Sequence, residues 1–335
     1  MTATHSTVEA AAVASRVAPS RAILNTWRTE LGVGLGLVAL FVLFSFVAPH
    51  FASIDNVVSI LTQVSVTAII AVGMTMVIIA GEIDLSVGAS VGLSGTVFAL
   101  LVVKEGVPMP LAVLCVLAVA AVIGLFIGGL RVLWGIPSFI TTIGLLSALR
   151  GIAFLLSDST NIGPMPDALA SLWFGSALGL PVPVLITVVV VALGWLTLSH
   201  TRFGRHLYAL GGNPVTAARY GIRVNRMRLY VLVIVQCLAA LGGVLFTARL
   251  NSGSASVGDL LELDVIAAVI VGGTTLGGGA GRMAGTVLGV LFVATLRNGM
   301  VLMGVDPVLF MIAQGFVIIL AVWWSMLRRG GWRSE

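Results

Sequence analysis

Two carboxylates, Glu82 and Asp84, stand two positions apart between long apolar runs of a chain otherwise poor in charge. A carboxylate at membrane depth is costly to bury and usually faces water, a partner or a transport path. With Ser86 beside them, these acids have the chemistry to relay a proton or to accept hydrogen bonds from solute hydroxyls. The competing reading is structural. Asp84 precedes LSVGASVGLSG, and a carboxylate at a helix N-terminus accepts backbone N–H bonds and suits the dipole. The structural reading is preferred, because the pair is expected near the cytoplasmic edge. Arg249, Asn251, Asp259, Arg297, Asn298 and Gln314 add polar groups in or near the late apolar segments. Amides both donate and accept. Glu82, Asp84, Ser86, Asn298 and Gln314 are therefore the candidate lining of a path for a neutral, hydroxyl-rich solute. For each one alone, interhelical hydrogen bonding is the competing role.

Other chemistries find no support. Lys104 is the only lysine, so a GxxxxGK[ST] phosphate loop cannot form and no ATP site of that kind exists in this chain. His5, His50, His200 and His206 lack the HExxH spacing of a zinc protease. Cys115 and Cys237 lie singly in apolar runs, which reads as packing and not as a disulfide or metal framework. No cofactor is expected. Aromatic residues make up 7% of the chain, too few for a nucleic-acid stacking platform despite a pI near 10.

The elements that hold these residues must be membrane helices. Of 335 residues 59% are hydrophobic and 9% charged, and the mean hydropathy is +1.12. Runs of about 20 apolar residues suffice to cross a bilayer. They fall near 31–49, 57–80, 84–103, 110–130, 137–157, 181–199, 229–249, 263–280, 284–303 and 307–327. With ten crossings and a cytoplasmic N-terminus, fourteen of the 18 basic residues lie inside. The positive-inside rule selects this arrangement over its mirror image and places both termini in the cytoplasm. Residues 1–30, rich in small side chains ahead of the first apolar run, read as a disordered cytoplasmic tail, and 31–329 as the membrane domain. The segment from Ser157 to Leu180 is the one sizeable outer connection, either a surface helix or a plain linker. Glycines 88, 92 and 95, and again 277, 281, 285 and 289, recur at helical spacing and predict smooth helix-packing faces. The turns GEIDLSVG (81–88) and GGTTLGGG (272–279) form a faint internal echo of the kind found where transporter helices are broken.

The inside loop 201–228 holds six of the 18 basic residues and no acid. Its Gly211-Gly212-Asn213-Pro214 is a turn signal, with Asn213 as helix cap and Pro214 at the first helical position. A short helix follows, closed by Gly221, which should expose Arg219 and Tyr220 to a cytoplasmic partner. Contact with anionic lipid is the plainer alternative.

Four blocks together carry a family resemblance: AVGMTMVIIAGEIDLSVGASVGLSG (71–95), IPSFITTIGLLSALRGIAFLL (136–156), TRFGRHLYALGGNPVTAARYGIRV (201–224) and AAVIVGGTTLGGGAGRMAGTVLGVLF (267–292). The chain resembles the permease subunits of ribose/xylose-type sugar ABC importers from about residue 31 to 329. It departs at Glu82, where the usual form of the family has glycine. The resemblance implies an all-α integral membrane protein with about ten transmembrane helices, type II ABC importer-like, in the plasma (inner) membrane. It implies a homodimer served by a cytoplasmic ABC ATPase and an extracytoplasmic sugar-binding protein. It also implies that Gly211, Asn213, Pro214, Ala217, Arg219, Tyr220, Gly221 and Ile222 form the coupling helix that docks into the ATPase.

Overall fold

The computed structural model describes residues 19–306 and scattered helical positions between 308 and 323. In chain order the helices are α1 (Pro19–Val47), α2 (Ile54–Ile79), α3 (Val87–Ala99), α4 (Met109–Leu133), α5 (Ser138–Leu156) and α6 (Asp167–Phe174). They continue with α7 (Val182–His200), α8 (Arg202–Gly212), α9 (Pro214–Arg219), α10 (Val224–Leu250), α11 (Leu261–Val271) and α12 (Met283–Leu302). A wider π-turn, Leu100–Lys104, prolongs α3. A hairpin of two-residue strands, Ser176–Ala177 with Leu180–Pro181, follows α6. Among the described residues, eight helices are long and apolar enough to cross a membrane.

Three sequence expectations change. Helix α1 begins at Pro19, so residues 19–30, read as tail, are helical; residues 1–18 lie outside the described ones. Proline suits a first helical position, and residues 20–31 contain neither Gly nor Pro to interrupt the turn. The eighth segment is not a full crossing: α11 has 11 residues, roughly 16 Å of helix against a hydrocarbon core of about 30 Å. It ends in a loop where Gly273, Gly278 and Gly279 take positive φ. Gly277 and Gly281 belong to that loop, so of their four-residue series only Gly285 and Gly289 lie on a helix, packed against Gly272 and Ala268. The tenth segment falls largely outside the described residues.

Helices α2 and α10 form the centre. Most of Val64–Ile79 is buried, and Val231, Leu232, Val235, Ala239 and Ala240 of α10 are fully so. Around them α1, α4, α5 and α7 turn apolar side chains outward, as at Phe46, Leu155 and Val189. In lipid, tight helix contact comes from small residues. Gly124 and Gly128 on α4, one turn apart, let its backbone meet α10 at Val233 and Leu229. A Cβ on Gly124 would stand 2.5 Å from Val233 Cα, whereas Gly129 faces open space. Gly124→Val is therefore expected to destabilise the purified protein by about 1–3 kcal/mol, the usual cost of overpacking. Gly129→Val should leave the thermal unfolding midpoint in place.

Helix α3 begins level with the middle of α10, because Ser86 and Ser90 both bond Gln236 there. The chain reaches that depth from Gly81 as non-helical backbone. On the other side, irregular chain from Asn251 to Leu260 runs back along α3, with Gly253 against Gly95 and Gly258 against Gly88. Helix α11 then continues to the opposite end. Non-helical backbone at membrane depth must find its partners within the protein. Helix α5 supplies several: Ser138 Oγ accepts from Ile83 N, Thr142 Oγ1 accepts from Leu85 N (both 3.1 Å), and Arg150 Nη1 donates to Ala255 O and Val257 O at 2.5 and 2.7 Å.

Candidate functional site

At one end of the bundle the basic loop forms a helical elbow. Thr201 accepts from Gly204 N at the start of α8, and Asn213 accepts from Thr216 N at 2.9 Å to cap α9. Pro214 occupies the first turn, where its missing N–H is no loss. Ala217 is buried, Ile222 packs onto the main core, and Gly221 leaves α9 at φ +81°. Arg219 is exposed and Tyr220 is 85% exposed, so the tip of the elbow faces out.

The base of the elbow is welded to both glycine turns of the internal echo. A Cβ on Gly211 would overlap Ile79 O and Gly279 N, two atoms joined to each other by a 2.9 Å hydrogen bond. Gly278 lies directly over Gly81. Tyr208 donates from its hydroxyl to Gly281 O at 2.8 Å. Burial pushes the Tyr208 phenol above its ordinary range, partly offset by Arg282, so it stays protonated and donating. Backbone here touches backbone, with no side chain between α8, the end of α2 and the glycine loop that follows α11.

The two acids have separate roles. Glu82, 3% exposed, takes a 2.9 Å hydrogen bond from Arg131 Nε at the end of α4. It also forms an ion pair with Arg228 Nε, 2.8 Å away at the start of α10 but out of line for a hydrogen bond. It thus ties α2, α4 and α10 together near the elbow. Asp84 lies deeper, and the expectation that it caps α3 near the edge is corrected. Its Oδ1 accepts from Ser86 N and Ser86 Oγ at 2.8 and 2.6 Å, upstream of the first helical turn. Its Oδ2 accepts from Gln236 Nε2 at 2.7 Å, and Gln236 Oε1 accepts from Ser90 at 2.6 Å. All four residues are fully buried. Ser90 also stands in a Gly-x-Ser-x-Gly spacing (88–92), but the stretch is helical and not the strand-turn-helix of a nucleophile elbow. Among the described residues, Glu82, Asp84 and Ser86 are therefore closed off from solvent. Gln314 lies outside the described residues.

An opening does exist at the far end, between α2, α10, α11 and α12. This cavity of about 260 Å³ gathers Arg249, Asp259, Arg297 and Asn298, scattered in sequence, with Gln63 and Asp264. Arg297 Nη1 lies 3.4 Å from Asp264 Oδ2, and Arg249 sits over the Trp173 ring of α6, 5.3 Å from its centroid. Asn298 exchanges paired 3.0 Å bonds with Asn56 at the cavity wall. Asn251 stands apart and accepts from Met165 N. Sequence reading passed over Gln236, Gln63 and Tyr208. The signal for Gln236 was present: one amide inside YVLVIVQCLAALGG has no reason to be there unless something buried needs it.

Comparison with known proteins agrees with this architecture. The family model for the branched-chain amino acid transport system / permease component matches residues 56–322. The ribose import permease protein of Haemophilus influenzae is 40% identical over 292 residues, covering 86% of this chain and 90% of that one. That of Escherichia coli K12 is 40% identical over 310 residues, covering 91% and 96%. The xylose transport system permease protein of Escherichia coli K12 is 33% identical over 349 residues, covering 86% and 89%. No solved structure matches the chain. With the family model spanning most of its length and helices of membrane-crossing size throughout, the chain belongs to the branched-chain amino acid transport system / permease component family and is a multi-pass membrane permease.

Proposed function

We propose that this permease is the membrane subunit of an ATP-driven importer that moves a monosaccharide, a pentose or hexose, across the plasma membrane. It works as a homodimer with a cytoplasmic ABC ATPase on the elbow and an extracytoplasmic sugar-binding protein at the far end. Both termini lie in the cytoplasm. The observation that carries the reading is the contact of Gly211 with Ile79 and Gly279, which connects an exposed basic tip to the ends of two membrane elements. Closure of the ATPase moves α9; α8 passes the displacement to the glycine turns, and the bundle switches between outward and inward access. The ribose and xylose permeases named above supply the sugar class.

The test is made at the tip, away from the core. Arg219→Glu reverses an exposed charge, and Gly221→Val forces a β-branched residue into φ +81°, at about 1–3 kcal/mol of strain. Both variants are expected to reach the membrane at normal levels while uptake of labelled D-ribose or D-xylose collapses and ATP turnover continues. Normal uptake in both removes the coupling role.

A further inference from the structure

The far-end cavity offers more than a passage, and on the importer reading above we propose that it is the permease's own sugar-binding subsite, selective for a neutral monosaccharide. Ionisable groups inside a membrane bundle ordinarily mark a path or a site. This cavity collects two guanidiniums and two carboxylates, Arg249, Arg297, Asp259 and Asp264, together with the amides of Gln63 and Asn298. Its lining balances in formal charge, two against two, and Arg150 behind Asp259 is matched by Glu262. A sugar phosphate or an organic acid would bring uncompensated negative charge, and the cavity gives it no net positive field.

A zwitterionic amino acid is the other solute that balanced charge admits, and the pairing argues against it. Arg297 is engaged with Asp264 at 3.4 Å, Asp259 lies 3.9 Å from Arg150, and Arg249 stacks on Trp173. The ammonium of such a solute would have to break the ion pairs of Asp264 and Asp259, because the carboxylate end alone could reach Arg249, whose N–H donors its stacking leaves free. A hydroxyl would not: a carboxylate has about four acceptor sites and a guanidinium five donors, so an ion pair can take hydroxyl bonds at its rim. Gln63 and Asn298 add donors and acceptors side by side, as vicinal hydroxyls require. Apolar Val64, Phe246 and Val293 line the remainder and suit the C–H face of a ring. At about 260 Å³ the space falls just below the ~300 Å³ at which pockets begin to take drug-sized ligands.

Saturation-transfer NMR on the full chain in nanodiscs tests this, with D-ribose, D-xylose, D-glucose, ribose 5-phosphate and L-leucine as probes. At least one neutral sugar should give a saturable signal, and the phosphate and leucine none. Gln63 bonds only one turn back along its own helix, to Ser59 at 2.8 Å, so Gln63→Leu should fold normally; it should weaken the sugar about tenfold. Thr67→Val, also on the cavity wall, should act in the same direction. The subsite is refuted by no sugar signal, by a stronger signal from leucine or the phosphate, or by unchanged affinity in both variants. Cellular uptake separates the two ideas. If uptake of all three sugars persists when the chain is deleted, the importer reading fails; if uptake needs the chain but the nanodiscs bind no sugar, only the subsite fails.

Discussion

Gly211→Ala should cut sugar uptake at least tenfold, while Gly212→Ala, its neighbour, should transport like the parent. The added Cβ at position 211 meets Ile79 O and Gly279 N, which are hydrogen-bonded to each other, so it must part them. Losing that bond removes about 1 kcal/mol, and overpacking adds about 1–3. At 1.4 kcal/mol per factor of ten, a contact that must hold through each cycle is disabled. Gly212 is exposed and has nothing within 4 Å, so the same methyl is harmless there. Labelled-sugar uptake, normalised to the amount of chain in the membrane, checks the pair. Equal uptake in the two variants would mean that the weld between α8 and the glycine turns carries no force.

Asp84→Ala should lower stability by about 3 kcal/mol or more, and Asp84→Asn by less than about 1 kcal/mol. Alanine strands the buried Ser86 amide and Ser86 hydroxyl and takes one of the two acceptors of the Gln236 amide, which keeps only Ser86 Oγ. Asparagine keeps one oxygen for Ser86 and presents a donor toward Gln236. The Gln236 amide can turn over, accept from the introduced asparagine and donate to Ser90, whose hydroxyl works either way. Thermal unfolding in detergent measures the difference. Transport by Asp84→Asn decides a second matter: a proton-relaying carboxylate cannot be replaced by an amide, so full uptake in this variant excludes relay through Asp84.

The elbow was the most legible part of the chain because its signals are local. Asn213, Pro214 and Gly221 act within three residues of themselves, and a cap, a first-turn proline and a left-handed glycine mean the same thing in any fold. The central apolar runs were equally plain. What escaped the sequence was depth. Glu82 and Asp84 are two residues apart, yet one meets arginines at the end of the bundle and the other an amide at its middle, because the chain has left the helix there and the two side chains reach different neighbours. The partner of Asp84 is 152 residues away, so no spacing could announce it. The segment 263–280 read as a crossing because hydropathy counts apolar residues without registering that a glycine loop has ended the helix. The scattered polar residues Arg249, Asp259, Arg297 and Asn298 were visible singly, and only the return of the chain before α11 brought them to one cavity.

Helix α5 lends hydroxyls and a guanidinium to main chain that is not its own, at Ile83, Leu85, Ala255 and Val257. Those four backbone groups would be orphaned in a medium without water if α5 slid away, each at several kcal/mol. The seam is thus effectively riveted. We expect this boundary to stay shut through a working cycle, with α3, α5 and the 253–258 run travelling as a single block.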